Sequence, residues 1–167
     1  LGKRTENRTP FIKDFVPLAA LDDLVFGAWD PIPDDCYESC LKCGVLDKHE
    51  HVEPIKAFLQ SIKPMPAVFD QYYVKRLSGT NVKAGKSKRE HAEGLRKDLV
   101  DFKAKHGCDR LVVVWCASTE IFIRPGPTHQ TLASFETAMD ANDVSIAPSM
   151  LYAWAAIFTT RSALAPI

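Results

Sequence analysis

The chain lacks a net charge: 21 Lys and Arg balance 21 Asp and Glu over 167 residues. A neutral chain has no bulk field to draw it to nucleic acid or to an anionic membrane surface, so neither is expected as a partner. No apolar run approaches the roughly 20 residues of a membrane-spanning helix. The opening Leu1-Gly-Lys-Arg-Thr-Glu-Asn-Arg-Thr-Pro10 is polar and has none of the apolar character of a secretory leader. The chain's five cysteines show no disulfide-like framework, which suits a reducing compartment, and the expected location is cytoplasmic. His49, His51, His91, His106 and His129 have no metal-ligand spacing, so no metal is expected. There is no internal repeat, no low-complexity tract, no defensible Ser/His/Asp arrangement and no G-x-G-x-x-G.

What remains is ordinary globular composition, 46% hydrophobic and 25% charged. A chain of this length makes one domain or a large piece of one, and can bury roughly two thirds of its unfolded surface. Both ends suggest a piece, or a protomer that borrows cover. The chain opens on Leu1, and near its other end Ala147-Pro-Ser-Met-Leu-Tyr-Ala-Trp-Ala-Ala-Ile-Phe158 is almost wholly apolar. A helix of that composition needs cover on all sides.

The most informative run is Arg110-Leu-Val-Val-Val-Trp-Cys-Ala-Ser-Thr-Glu120. Residues 111–115 are apolar on both faces, as in a central parallel strand covered by helices. The run then breaks into Cys116, Ala117, Ser118 and Thr119. Ligands of open α/β sheets sit outside the carboxyl ends of strands, and small polar residues there let a ligand approach the backbone. A second short strand is expected to end on Asp30 before Pro31 and Pro33, and a third at 67–69 after Lys63-Pro-Met-Pro66.

Helices are expected from Asp34 or Asp35 to Cys43 with Gly44 beyond the end, from Pro54 to Ile62, from Ser87 to His106, from Thr131 to Asn142, and from Pro148 onward. Ala92, Leu95, Leu99 and Phe102 form the apolar stripe of the longest. Leu132, Phe135 and Met139 form that of the next. Strands alternating with helices give an α/β fold, a Rossmann-like parallel sheet with crossover helices that is incomplete at both ends.

Four features carry possible chemistry. Asp30 at a strand end can accept hydrogen bonds from a ribose diol, or it can simply open the turn before Pro31. The turn at Cys116, Ala117, Ser118 and Thr119 can offer amides and hydroxyls to a cofactor, or it is a plain strand-to-loop transition. Cys36, Cys40 and Cys43 have the spacing of a radical-SAM iron–sulfur motif. However, Lys42 stands where that family has an aromatic residue, and the i, i+4, i+7 spacing places all three thiols on one helix face as small buried hydrophobes. Gly79-Thr-Asn-Val-Lys-Ala-Gly-Lys-Ser87 approaches a phosphate-binding loop, but five residues separate its glycines where the motif needs four. It reads better as a basic loop, with Lys83, Lys86 or Lys88 able to touch phosphate.

These residues together carry a resemblance. Val25-Phe-Gly-Ala-Trp-Asp30, Ala67-Val-Phe-Asp70, Gly79-Thr-Asn81, Cys108-Asp-Arg-Leu-Val-Val-Val-Trp115, Ser118-Thr-Glu120 and Ala147-Pro-Ser149 occur in the order found in the myo-inositol-1-phosphate synthases, also called inositol-3-phosphate synthases. The resemblance is to the bacterial form and runs from Leu1 to about Phe158. It implies an NAD-dependent isomerase that converts D-glucose 6-phosphate to 1D-myo-inositol 3-phosphate in inositol and phospholipid biosynthesis. It also implies a cytoplasmic homo-oligomer, a tetramer in that family.

By resemblance, Asp30 is the Gly-Trp-Asp carboxylate beside the adenosine part of NAD, and Trp29 its neighbour. Ala67 falls where a serine of the eukaryotic form touches the cofactor, so that side-chain contact is lost. Cys116, Ala117, Ser118 and Thr119 fall on the cofactor-binding Thr-Ala-Asn-Thr turn. Ala117 and Thr119 match it, whereas Cys116 and Ser118 depart from it. The family's glycine-rich loop is expected before Leu1 and its catalytic lysines after Phe158, so residues 1–167 are read as a partial NAD-binding domain, inactive alone, with catalytic residues unknown. A different class of reading is a non-catalytic oligomeric scaffold or interaction module that docks through its apolar last helix.

Overall fold

The computed structural model describes residues 11–162, with side chains as far as Thr159. Local sequence signals set its helix ends. Helix α1, Cys36–Cys43, starts on Asp35, whose carboxylate accepts from the Glu38 amide at 2.9 Å while the Glu38 side chain accepts from the Asp35 amide at 3.2 Å. This reciprocal cap satisfies two otherwise orphaned donors. Gly44 ends the helix at φ 61°, a left-handed conformation that glycine adopts without strain.

The helix expected at 54–62 is built in two pieces, a 3-10 turn at Glu53–Ile55 and helix α2 at Lys56–Ser61. A π-helical turn at Lys48–Val52, which the sequence reading missed, precedes them and carries Val52 into the interior. Helix α3, Lys88–His106, is capped by Ser87 and closed by Gly107 at φ 63°. Helix α4, Leu132–Asp140, is capped by Thr131, and helix α5 spans Pro148–Ser162.

The core lies where α3 packs against α5, with α4 closing one side. The α3 stripe behaves as its spacing predicts: Ala92, Leu95 and Leu99 are buried and Phe102 half-buried. On α4, Met139 is buried and Phe135 half-buried, but Leu132 lies exposed at the helix start. Arg89 locks the corner of the three helices. Its guanidinium forks onto the Asp140 carboxylate at 2.7 and 3.0 Å and lies 5.5 Å over the Trp154 ring. Helix α5 finds cover for Leu151, Tyr152, Trp154 and Ala155 within the fold, while Ala153 and Ile157 remain exposed.

Three segments run side by side next to this layer. Parallel bridges join Trp29 to Met65 and Ala67 to Val82. Their hydrogen bonds run from the Met65 amide to the Ala28 carbonyl (2.8 Å), from the Ala67 amide to the Asn81 carbonyl (2.9 Å) and from the Lys83 amide to the Ala67 carbonyl (2.8 Å). Among the described residues these bridges are the extent of parallel pairing.

Residues 111–115 join no ladder there, and their burial alternates. Leu111 and Val113 line an apolar cleft of about 240 Å³ with Leu99, Ala156, Ile157 and Thr159, whereas Val112 and Val114 are 82% and 73% exposed. The run expected to be covered on both faces is therefore covered on one. The helical layer of α3 and α5 supplies that cover, which is partial, since Val113 and Trp115 are 40% and 48% exposed.

Candidate functional site

The Gly-Trp-Asp segment ends in a tight turn. The Asp30 Oδ1 atom accepts from the Ile32 amide at 2.8 Å, so the aspartate does open the turn before Pro31. The side chain is exposed, and its second carboxylate oxygen accepts nothing among the described residues. One oxygen thus serves the turn, and the exposed side chain leaves the other outside it.

The Gly79-Thr-Asn81 motif clamps this turn. A Cβ on Gly79 would lie 2.2 Å from the Pro31 carbonyl oxygen, so only glycine fits there. The Asn81 amide donates to the Pro31 carbonyl at 2.9 Å, and the Asn81 Nδ2 donates to the carbonyls of Asp30 (2.9 Å) and Met65 (3.2 Å).

Trp29 turns inward, and its side chain belongs to the core side of the site. Its Nε1 donates to Asp98 at 2.8 Å, and Lys83 pairs with the same carboxylate at 2.8 Å. A Cβ on Gly94 would sit 3.0 Å from the Lys83 stem, so glycine at that helical position gives the lysine its path to Asp98. Ala67 is also buried, with its amide and carbonyl both used in the bridges. Neither Trp29 nor Ala67 presents a polar side-chain group outward. Both hold the backbone beside Asp30 and Val68 from the core side.

Tyr152 of α5 joins the segments. Its ring meets Trp29 edge-on at 5.3 Å between centroids and Trp115 at 5.2 Å, and its hydroxyl accepts from the Val68 amide at 2.9 Å. Burial pushes the Tyr152 hydroxyl up to about 12. Trp29, Val68 and Trp115 are each one residue from Asp30, Ala67 and Cys116, and consecutive Cα atoms lie about 3.8 Å apart. The three segments singled out from sequence therefore converge on one side chain.

Cys116, Ala117, Ser118 and Thr119 are all exposed, and their amides find no partner among the described residues. Beyond them Glu120 turns back. Its carboxylate accepts from the Ser149 amide at 2.9 Å and from the Ser149 hydroxyl, which anchors the turn to the first turn of α5. A carboxylate there also complements the helix dipole. The Ile121 amide donates to the Tyr73 carbonyl at 2.8 Å. The result is a cleft of about 330 Å³ between residues 118–121 and 73–77. Exposed amides, two hydroxyls and an outward carboxylate oxygen are donor and acceptor types that a dinucleotide uses.

Two lysines of the basic loop are already engaged within the fold. Lys83 is committed to Asp98. Lys88 Nζ donates to the Tyr73 hydroxyl at 2.7 Å and to the carbonyls of Asp143 and Ile146. Burial lowers the Lys88 ammonium from its ordinary value and raises the Tyr73 hydroxyl to about 12. Lys86 remains exposed.

The expectation that Cys36, Cys40 and Cys43 form a buried face is also corrected. Cys36 and Cys40 are half-buried and Cys43 is exposed, because α1 packs on α2 at the periphery rather than on the core. Among the described residues no group of three or more His, Cys, Asp or Glu is placed to hold a metal ion.

Sequence reasoning missed three residues that build the site: Asn81 as a clamp, Glu120 as an anchor and Tyr152 as the common contact. Asn81 and Glu120 lie inside motifs quoted above, which do not show what they bind, and Tyr152 left a signal of its own. A tyrosine inside an almost wholly apolar helix needs a partner for its hydroxyl.

Comparison with known proteins gives a consistent result. The model of an NAD-binding domain described as "Myo-inositol-1-phosphate synthase" matches residues 1–162. An inositol-3-phosphate synthase of Bacteroides thetaiotaomicron is 49% identical over 152 residues, covering 90% of this chain and 35% of that protein. The enzyme of Citrus paradisi is 31% identical over 153 residues, 89% of this chain and 29% of the relative. The crystal structure of inositol-3-phosphate synthase from Caenorhabditis elegans superposes with a TM-score of 0.82 at 27% identity, over 88% of this chain and 29% of that one. The chain thus spans about a third of the length of these relatives.

Proposed function

The chain belongs to the myo-inositol-1-phosphate synthase family, and we propose that it supplies the strand-end wall of the NAD site in an enzyme that isomerises D-glucose 6-phosphate to 1D-myo-inositol 3-phosphate. The observation that carries this reading is the convergence of the Asp30, Ala67 and Cys116 segments on Tyr152. Asp30 accepts from a ribose hydroxyl of NAD through its outward oxygen. The amides of Ala117, Ser118 and Thr119, with the Ser118 and Thr119 hydroxyls, hold and orient the cofactor. Trp29 and Ala67 fix the backbone on which these groups sit. Bound NAD supplies reversible oxidation of the sugar at C5. The residues of this chain bind and orient, and the acid–base work falls to groups outside it.

In this reading the two parallel bridges are the core of a Rossmann-like sheet. Residues 111–115 are a further strand of that sheet, and its remaining strands come from the part of the family's length that this chain does not span. The working protein is a cytoplasmic tetramer. No helix among the described residues is long and apolar enough to cross a membrane. Helix α5 buries most of its apolar surface within the chain, which removes the main reason to read the chain as a docking scaffold.

Calorimetric titration of NAD into the chain tests the proposal. Saturable binding that Asp30→Ala weakens supports the wall. Saturable binding that is indifferent to Asp30 removes the residue from the site, and no binding removes the site.

A further inference from the structure

We propose that Tyr152 is the positioning residue of the cofactor site, holding its three strand ends in one fixed arrangement. The proposal rests on the NAD reading for its functional half and on geometry for the other half. Tyr152 belongs to α5, and no family motif quoted above contains it. Yet one side chain reaches three separate segments, 84 residues apart in the case of Val68. The Val68 amide follows the Ala67 bridge and is itself outside the ladder, so the Tyr152 hydroxyl satisfies a buried donor that would otherwise be orphaned. The ring touches both Trp29 and Trp115 and so ties together the backbones that carry Asp30 and Cys116. Asn81 clamps the Asp30 turn and Glu120 anchors the far end of the 116–119 turn, but each acts on its own turn alone. The placement of the two turns relative to each other comes from the aromatic trio behind them, in which buried Tyr152 bridges half-buried Trp29 and the more exposed Trp115.

The test separates positioning from plain stability. Tyr152→Phe keeps the ring and deletes the acceptor for Val68. It is expected to raise the NAD dissociation constant about three- to tenfold, the worth of one buried hydrogen bond. Met139→Ala, on α4 and fully buried, is the matched control. It is expected to cost at least as much thermal stability yet leave NAD affinity within about twofold. Equal affinity of wild type and Tyr152→Phe, or equal weakening by Met139→Ala, overturns the proposal while leaving the NAD reading intact.

Absence of NAD binding to the wild type overturns that reading instead, and the geometric half is then decided by amide exchange. The Val68 amide of the wild type is expected to exchange slowly although it belongs to no ladder, and to exchange faster in Tyr152→Phe, with shifted Asp30 and Ala117 amide resonances. Fast exchange in the wild type, or unmoved resonances in the variant, refutes it.

Discussion

Asn81 offers a direct check of how the Asp30 turn is held. Its Nδ2 faces the carbonyl oxygens of Asp30 at 2.9 Å and Met65 at 3.2 Å, with Pro64 at the 3.5 Å limit. Carbonyls only accept, so the nitrogen must face them. Asn81→Ala leaves both nearer oxygens without this donor in a half-buried position. Each lost bond is worth about 0.5–1.5 kcal/mol, so the expected cost of losing two is about 1–3 kcal/mol. For a chain of this size that lowers the melting temperature by about 2–12 °C. Asn81→Asp is nearly isosteric but points an acceptor, negatively charged at neutral pH, at the same carbonyls. It is expected to be worse than alanine. Urea denaturation at pH 7, followed by circular dichroism, gives the order wild type, then Ala, then Asp. An aspartate variant as stable as the alanine variant, or an alanine variant as stable as wild type, would falsify the clamp.

Other expectations follow from the same contacts. Asp30→Ala should weaken NAD binding by about 1–3 kcal/mol through loss of a charged hydrogen bond, and an unchanged dissociation constant in calorimetry contradicts that role. Glu120→Ala should cost about 1–2 kcal/mol, as the loss of a helix-terminal acceptor does, and Ser149→Ala should then add little. Full additivity in denaturation of the double variant disproves the pairing. Acid should destabilise the fold below pH 3.8, because hydrogen bonds from the Glu50 amide, the Arg89 side chain and the Ser145 amide hold Asp47, Asp140 and Asp143 respectively below that value. Such stabilisation is present above the unfolded value and lost as pH falls through the folded one, so Arg89→Met should flatten melting curves taken between pH 5 and 2. At the alkaline end, Tyr73 and Tyr152 rise from 10 to about 12. The stability they lend is present below pH 10 and drains between 10 and 12, and Tyr152→Phe should abolish its share.

The helices were legible because their signals are local. Asp35, Ser87 and Thr131 sit before helices, and Gly44 and Gly107 follow them. Such caps act within three or four residues, so spacing alone reveals them. The Lys48–Val52 turn carries no comparable signal, and Pro54 suggested a start that the structure places in a 3-10 turn. What escaped the sequence was long-range. Lys83 and Lys88 look like loop lysines until Asp98, Tyr73 and the 143–146 carbonyls are brought to them. Asp30 and the 116–119 turn stand out by residue type, whereas the hydroxyl of Tyr152 signals that it needs a partner without saying that the partner is Val68, 84 residues away. The cysteine triplet misled because its spacing defines a helix face without saying which face meets the core.

The most direct test of the central claim is an amide-resolved NMR titration of the isotopically labelled chain with NAD. The account predicts saturable shifts clustered at Asp30 to Ile32 and at Cys116, Ala117, Ser118, Thr119 and Glu120, with smaller ones at Val68 through Tyr152. Helices α1 and α2 should stay silent. Shifts centred on the basic loop at 83–88, or no saturable shift at all, would contradict it.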